Sequence, residues 1–201
     1  MQHFLIVRLG AVGDVVMASS LARRIRDERK DARITWLCGN GVAPLVRQFA
    51  DVDDVITLDD RRLLLGGAAA RVGVLLPLWT ELAKRRFTHV MLLHVDPRYR
   101  LVVAPLVRAK LTTQTGRDAY GAMNPVTGPY FGDEYARLLD GLEHRGPIVG
   151  HFPLARLRPL SPLAAPPVPG VPRVALVPGG ARNLMRESGV RRWPVEHYAA
   201  V

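Results

Sequence analysis

The sequence predicts an α/β fold: a doubly wound, Rossmann-like parallel sheet with helices on both faces. Three observations predict it. Short apolar strands alternate with helical segments, the strands are apolar on both faces, and glycine turns follow several of the strands. Strands that are buried on both faces are typical of parallel sheets covered by helices. The alternation itself indicates consecutive strand–helix–strand units.

The first unit comprises residues 4–29. The apolar run 4–9 predicts a strand, Gly10 and Gly13 interrupt it, and apolar residues then recur at helical spacing up to Arg29. Later segments follow the same rhythm. Further strands are predicted at 33–38, 55–58, 88–93 and 111–114, and helices at 43–50, 72–86, 99–107 and 134–142. Helix 72–86 is apolar on most of its sides, so we expect it to be buried.

The predicted domain organisation has three parts. Residues 1–152 form an N-terminal Rossmann-like domain, which includes a loop rich in glycine and asparagine at 116–132. Residues 153–172 contain seven prolines and predict an interdomain linker. Residues 173–201 begin a second α/β domain with a strand, a glycine turn and the start of a helix. Such a short piece cannot bury a core, so we expect a longer protein.

The charge of the chain favours an anionic partner. Lysine and arginine outnumber aspartate and glutamate by 28 to 18, which gives a net charge of +10, and only three of the cations are lysines. The planar guanidinium of arginine holds phosphate and carboxylate groups in a bidentate manner. The arginines are spread along the chain without interleaved aromatic residues, so nucleic-acid binding is the less favoured interpretation.

Other classes of protein are excluded by composition. Cys38 is the only cysteine, which rules out an intrachain disulfide and favours a reducing, cytoplasmic setting. The six histidines show no metal-ligand spacing, so no metal site is predicted. The longest apolar region, 63–83, is interrupted by Arg71, Pro77 and Glu81 and falls short of an uninterrupted membrane span.

The turn after the first strand is the first candidate site. Gly10, Gly13 and Asp14 lie where doubly wound folds bind ligands, and glycines let a ligand approach the backbone closely. The spacing departs from the dinucleotide fingerprint, and a carboxylate here would repel a pyrophosphate. Two interpretations of Asp14 remain open: a cap at the start of the helix, and a general base for a sugar hydroxyl.

The turn in the second domain is the other candidate site. Gly179, Gly180 and Ala181 follow a predicted strand, and four arginines lie nearby, at positions 182, 186, 191 and 192. Free backbone N–H groups together with guanidinium groups can cradle a phosphate. The alternative is a solvated basic loop.

Together these segments resemble the bacterial heptosyltransferases of glycosyltransferase family 9, which build the lipopolysaccharide inner core from ADP-heptose. The resemblance lies in residues 5–16, 31–37, 177–183 and 192–199, and so spans nearly the whole chain. It implies the GT-B architecture, in which two Rossmann-like domains face each other across a cleft. In that architecture the first domain mainly holds the acceptor and the second holds the nucleotide sugar.

The resemblance also implies roles for particular residues. Asp14 matches the catalytic aspartate, which deprotonates the acceptor hydroxyl in a single inverting displacement that needs no metal. Gly10 and Gly13 belong to the acceptor-side loop. Arg191 lies where the family usually has a lysine that contacts the donor phosphate, and the backbone of Gly179, Gly180 and Ala181 lies beside it. The change from lysine to arginine keeps the charge but alters reach and geometry.

The expected function is therefore heptose transfer from ADP-heptose to an anionic, lipid-linked inner-core glycan, with no cofactor and no nucleic acid. The expected location is cytoplasmic, and the family allows peripheral contact with the inner face of the cytoplasmic membrane. The family's later donor-holding residues are absent from these 201 residues, so this portion is expected to be inactive alone. Two alternatives stay open: transfer of another nucleotide-activated sugar by the same fold, and a non-catalytic α/β remnant that binds an anionic partner.

Overall fold

The computed structural model of the chain describes residues 1–94, 96–113, 131–140 and 151–159. The stretch Met1–Arg158 forms one compact unit. Its strands are β1 (His3–Val7), β2 (Arg33–Gly39), β3 (Asp54–Leu58), β4 (His89–Leu92) and β5 (Lys110–Thr113). Its α-helices are α1 (Val12–Glu28), α2 (Ala43–Val46), α3 (Asp60–Leu65), α4 (Ala68–Ala83) and α5 (Phe131–Arg137), and its 3-10 helices are Pro97–Val103 and Leu138–Asp140.

The five strands pair in parallel in the order β3-β2-β1-β4-β5, which confirms the predicted α/β fold. In the central strand β1, Phe4 lies between Ile34 of β2 and His89 of β4. The chain builds the sheet outward from β1 in one direction and then returns to add β4 and β5 on the other side. Doubly wound folds form a ligand crevice where the strand order reverses in this way, at the carboxyl ends of the strands. Here that point lies between β1 and β4.

The sheet separates two apolar layers. Phe4 and Ile6 of β1 pack with α1 in one layer, whereas Leu5 and Val7 pack with α4 in the other. Successive side chains of a strand point to opposite faces, so a strand covered on both sides is apolar at most of its positions. This explains why the strands show continuous apolar runs instead of an alternating pattern.

Residues 151–158, which include the first residues of the linker predicted at 153–172, belong to this compact unit and pack on the rest of it. The Ala155 N–H donates to Ser19 Oγ of α1 at 3.1 Å. The Arg156 N–H donates to the buried carboxylate of Asp51 at 2.7 Å, and the Arg156 guanidinium contacts the same carboxylate. The first residues of this proline-rich segment are thus anchored on the unit by polar contacts. The domain boundary itself stays a prediction.

The expectation that the helix at 72–86 is buried is wrong. The helix is α4, which spans Ala68–Ala83, and only Leu78 and Leu82 are buried along it. Val72 and Leu76 are 52% and 53% exposed. Only the stripe of α4 that faces the sheet is covered, and hydropathy alone cannot tell a covered apolar side from an uncovered one.

Other elements differ in extent. The helix predicted at 43–50 is the single turn α2, and the helix predicted at 99–107 is the 3-10 helix Pro97–Val103. Helix α3 was not predicted. The elements predicted beyond residue 159 and most of the loop 116–132 lie outside the described residues. Among the described residues, no helix combines the length and apolar character needed to cross a membrane.

Candidate functional site

The candidate site lies at the carboxyl edge of β1 and β4. Backbone pairing continues just past the strands, since the Leu93 N–H donates to Val7 O at 3.0 Å and the Arg8 N–H donates to Leu37 O at 3.1 Å. The chain then leaves the sheet at Gly10 after β1 and at His94 after β4. The side chains that follow the two strands therefore meet in the crevice predicted for this topology.

Asp14 is the third residue of α1, and Ala11 occupies the N-cap position. The interpretation of Asp14 as the N-cap residue is therefore wrong, because Asp14 lies three residues after the N-cap. Its Oδ2 accepts a hydrogen bond from the Ala11 N–H at 3.3 Å and an ion-paired hydrogen bond from Arg8 Nη2. Its Oδ1 accepts no hydrogen bond from the part of the chain that the structure describes. With the side chain 36% exposed, one carboxylate oxygen is held and the other is open to a ligand.

Arg8 was not among the predicted site residues, yet it holds the site together. Its side chain is only 12% exposed. Nη1 donates to the Leu93 carbonyl and Nη2 to Asp14, so one guanidinium joins the ends of β1 and β4 to the first turn of α1. The aromatic ring of Tyr135, in α5, lies 5.8 Å from its central carbon. The sequence feature that indicates it is a charged residue within an apolar run, two residues before Gly10.

His94 is the second site residue that sequence reasoning missed. It is 7% exposed, its Nε2 accepts a hydrogen bond from the Leu9 N–H at 3.0 Å, and its ring stacks on Tyr99 at 3.9 Å. Burial is the main cause that lowers the pKa of His94 to about 3; the neighbouring Arg8 charge adds to the shift and Asp96 opposes it. A neutral imidazole with Nε2 unprotonated is what the Leu9 hydrogen bond requires. His94 thus fixes the backbone that leads into the Gly10–Asp14 turn.

We expect His94 to make the folded protein less stable as the pH is lowered below about 6.5. The pKa of a histidine in the unfolded chain is near 6.5, whereas that of His94 in the folded protein is about 3. Between these pH values the unfolded chain binds a proton at this histidine and the folded protein does not. The free energy of unfolding is therefore unaffected by this histidine above pH 6.5. Below pH 6.5 it declines by up to about 1.4 kcal/mol per pH unit as the pH falls. In His94→Gln, whose amide oxygen can accept the Leu9 N–H, this part of the decline should vanish.

Urea unfolding of both proteins between pH 7 and pH 4 measures that difference. His3 and His89 also have pKa values lowered by burial, but they are present in both proteins and cancel in the comparison. Equal pH slopes for the wild type and the variant would show that His94 is protonated in the folded protein.

The predicted acceptor-side glycines border open space. A Cβ added at Gly10 or Gly13 would meet no heavy atom within 4 Å, and neither backbone is left-handed. A methyl group at either position would therefore meet neither a steric clash nor a left-handed backbone. The predicted donor-side residues Gly179, Gly180, Ala181 and Arg191 lie outside the described residues. Within the described ranges, no group of three or more acidic, histidine or cysteine side chains could hold a metal ion.

Comparison with known proteins gives matches in structure only. No family model matches the sequence, and no curated protein matches it. Among solved structures, E. coli ADP-heptose lipopolysaccharide heptosyltransferase II is 19% identical, with a TM-score of 0.58 over 81% of this chain and 47% of that chain. The glycosyl transferase family 9 protein of Veillonella parvula DSM 2008 is 16% identical, with a TM-score of 0.57 over 71% of this chain and 41% of that chain.

A third match is E. coli heptosyltransferase WaaC with ADP, which is 16% identical with a TM-score of 0.56 over 75% of this chain and 50% of that chain. The chain thus spans about half the length of the solved structures it matches. At these identities the likeness establishes the fold. The protein therefore has, over about half their length, the Rossmann-like fold of the heptosyltransferases of glycosyltransferase family 9.

Proposed function

We propose that this chain forms the acceptor side of an inverting glycosyltransferase that moves a heptose from ADP-heptose to a lipopolysaccharide inner-core acceptor. The observation that carries the proposal is the Asp14 carboxylate in the crevice between β1 and β4, with Oδ2 held by Arg8 and the Ala11 N–H. It supports the proposal because the same fold belongs to heptosyltransferases. Its open Oδ1 can take a proton from an acceptor hydroxyl.

The proposed reaction is one displacement at the anomeric carbon of the sugar. The acceptor hydroxyl oxygen forms a bond to that carbon on one side while the bond to the ADP phosphate oxygen breaks on the other, so the configuration inverts. The electron pair of the broken bond leaves with ADP, and the hydroxyl proton passes to Asp14. A carboxylate near a helix N-terminus is a weak base, but the hydroxyl becomes acidic only as it attacks, so the transfer is feasible in the transition state.

Arg8 has a positioning role in this proposal. Its guanidinium, bonded to both the Leu93 carbonyl and Asp14, keeps the carboxylate from rotating. A fixed carboxylate needs little reorganisation when the proton moves, which is how oriented groups contribute to catalysis. Arg191 and the backbone at Gly179, Gly180 and Ala181 are proposed to hold the ADP diphosphate, on the resemblance of those segments to the family.

The proposed acceptor is an anionic, lipid-linked glycan, and the proposed location is cytoplasmic, with peripheral contact at the inner face of the cytoplasmic membrane. The net charge of +10 supports an anionic acceptor. No cofactor and no metal ion is part of the proposal.

The function is tested by incubating the full-length protein with ADP-heptose and a purified inner-core acceptor. We expect ADP to be released and the acceptor to gain the mass of one heptose, with no ADP released when the acceptor is omitted. Transfer from a different nucleotide sugar alone would keep the enzyme class and overturn the donor. No transfer from any nucleotide sugar tried would overturn the class and favour a binding module.

The open space at Gly13 gives a second test. In Gly13→Ala, folding stability should stay the same or rise by about 0.5–1 kcal/mol, because the residue lies in helix α1 with room for a methyl group. Activity should nevertheless fall by about tenfold, through a higher KM for the acceptor, because the methyl group would occupy space proposed for the acceptor.

Thermal unfolding and acceptor titrations measure the two effects separately. Gly73→Ala is the matched control, since Gly73 is also helical and a Cβ there has its nearest contact at 3.7 Å. Unchanged acceptor kinetics in Gly13→Ala would mean that no ligand approaches the backbone at this turn.

A further inference from the structure

Tyr135 lies against the Arg8 guanidinium that binds Asp14. It is the fifth residue of α5 and is 2% exposed. The central carbon of Arg8 lies over its ring, 5.8 Å from the ring centroid. A guanidinium this close to the face of an aromatic ring is attracted by the electrons of the ring. The Tyr135 ring is therefore a further contact of Arg8, beside the Leu93 carbonyl and Asp14.

The buried Arg8 side chain depends on that contact because its hydrogen bonding is incomplete. Nη1 and Nη2 donate to Leu93 and Asp14, whereas the buried Nε has no hydrogen-bond partner among the residues that the structure describes. Burying a charged group costs free energy unless neighbouring groups replace the water that it loses. The ring face of Tyr135 supplies part of that replacement.

Helix α1, which carries Asp14, also fixes the helix that carries Tyr135. Ser20 Oγ of α1 donates to the Gly132 carbonyl of α5 at 2.5 Å. Arg24 Nη1 of α1 donates to the Ala136 carbonyl at 2.9 Å. These two bonds lie on either side of Tyr135 along α5. The ring is therefore fixed relative to the same helix that presents the carboxylate.

The end of the compact unit provides a second attachment for α5. The Asp133 carboxylate is 1% exposed, its Oδ1 accepts a hydrogen bond from the Phe152 N–H at 2.7 Å, and its Oδ2 lies 2.6 Å from His151 Nδ1. A helix of seven residues is not stable by itself and takes its stability from packing and tertiary contacts. The contacts with α1 and with residues 151–152 make α5 a firm support for the Tyr135 ring.

We propose that Tyr135 is a positioning residue of the glycosyl transfer. Its ring keeps the Arg8 guanidinium in the orientation in which Nη2 binds Asp14 Oδ2, so that Oδ1 stays directed to the acceptor hydroxyl. Tyr135 acts through Arg8 and does not itself contact the substrate. The inference rests on the proposed function and deepens it, because the general base then depends on a residue of α5, outside the ends of β1 and β4.

The kinetics of the full-length protein test this role. Tyr135→Leu keeps an apolar side chain in the layer but removes the ring. It should lower kcat by about tenfold and change KM for the acceptor by less than about twofold, because a poorly oriented base slows the chemical step. Tyr135→Phe keeps the ring and should recover most of the lost kcat. In an Arg8→Gln background, Tyr135→Leu should cause no further loss, because the ring then has no guanidinium to orient.

An NMR measurement tests the contact without the reaction. The Arg8 Nε–H signal, assigned by its loss in Arg8→Gln, should exchange with water at least tenfold faster in Tyr135→Leu than in the wild type. Tyr135→Phe should restore slow exchange. Thermal melts check that Tyr135→Leu folds, and Tyr135→Met, with a longer apolar chain, takes its place if it does not.

Phe87→Leu is the matched control. Phe87 is 7% exposed and directly precedes β4, at the amino edge of the sheet, where its ring lies 4.4 Å from that of His3. The substitution removes a buried aromatic ring far from the crevice. Both kcat and the exchange of the Arg8 Nε–H should stay as in the wild type.

Unchanged exchange in Tyr135→Leu would overturn the proposal, as would faster exchange with a wild-type kcat. An equal loss of kcat in Phe87→Leu, or a further loss in the Arg8→Gln background, would overturn it too, because the effect would then reflect stability alone. A wild type that transfers no sugar would be a failure of the proposed function, and the exchange rate would still decide whether the Tyr135 ring holds Arg8.

Discussion

Asp14→Asn is expected to lower kcat for glycosyl transfer by about 10²–10⁴-fold, the range that general-base catalysis supplies. Asparagine has nearly the same shape and can still accept the hydrogen bond from Arg8. It cannot accept the acceptor's proton at the position of Oδ1, the oxygen that no described residue occupies. The effect should therefore fall on the chemical step, with donor affinity unchanged.

The measurement is the rate of ADP release at saturating substrate, with donor affinity measured by calorimetry. Asp27→Asn is the matched control because Asp27 lies on the same helix, at its other end, and pairs with Arg23 at 2.6 Å away from the crevice. It should retain full activity. A kcat for Asp14→Asn equal to that of the wild type would show that Asp14 is not the general base. Its role would then be structural, through its hydrogen bond with the Ala11 N–H at the start of α1.

Trp36→Ala is expected to destabilise the folded protein by about 3–5 kcal/mol, as for other large aromatic residues truncated in a core. Trp36 lies in β2 with no exposed surface, and its ring packs on Phe49 with the centroids 5.8 Å apart. Its indole N–H also donates to the Arg8 carbonyl at 3.2 Å. The variant therefore loses core packing and a hydrogen bond to Arg8, the residue whose side chain binds Asp14.

The free energy of unfolding from guanidinium titration gives the size of this effect. Trp36→Phe retains much of the ring volume but loses the hydrogen bond, so a smaller loss of about 1–2 kcal/mol is expected. A loss below about 1 kcal/mol in Trp36→Ala would mean that the layer between the sheet and α1 can collapse around the vacancy.

Part of the candidate site was predictable from the sequence. The turn of Gly10, Gly13 and Asp14 follows a strand that is recognisable by its apolar run, so its position at the carboxyl edge of the sheet follows from local pattern alone. His94 was not predictable in the same way. It contacts Leu9, which is 85 residues away in sequence, and a lone histidine after a strand carries no spacing signal.

The sequence by itself determined the parallel α/β class, the approximate place of the strands and the position of Asp14 shortly after the first strand. These follow from residue periodicity and glycine turns, which act over a few neighbouring residues. The tertiary structure alone decided the strand order, the contacts of Arg8 with Asp14 and of His94 with Leu9, and the exposure of Val72 and Leu76 on α4. Those features depend on which distant elements pack together, because burial and hydrogen-bond partners are properties of the assembled sheet and not of any one segment.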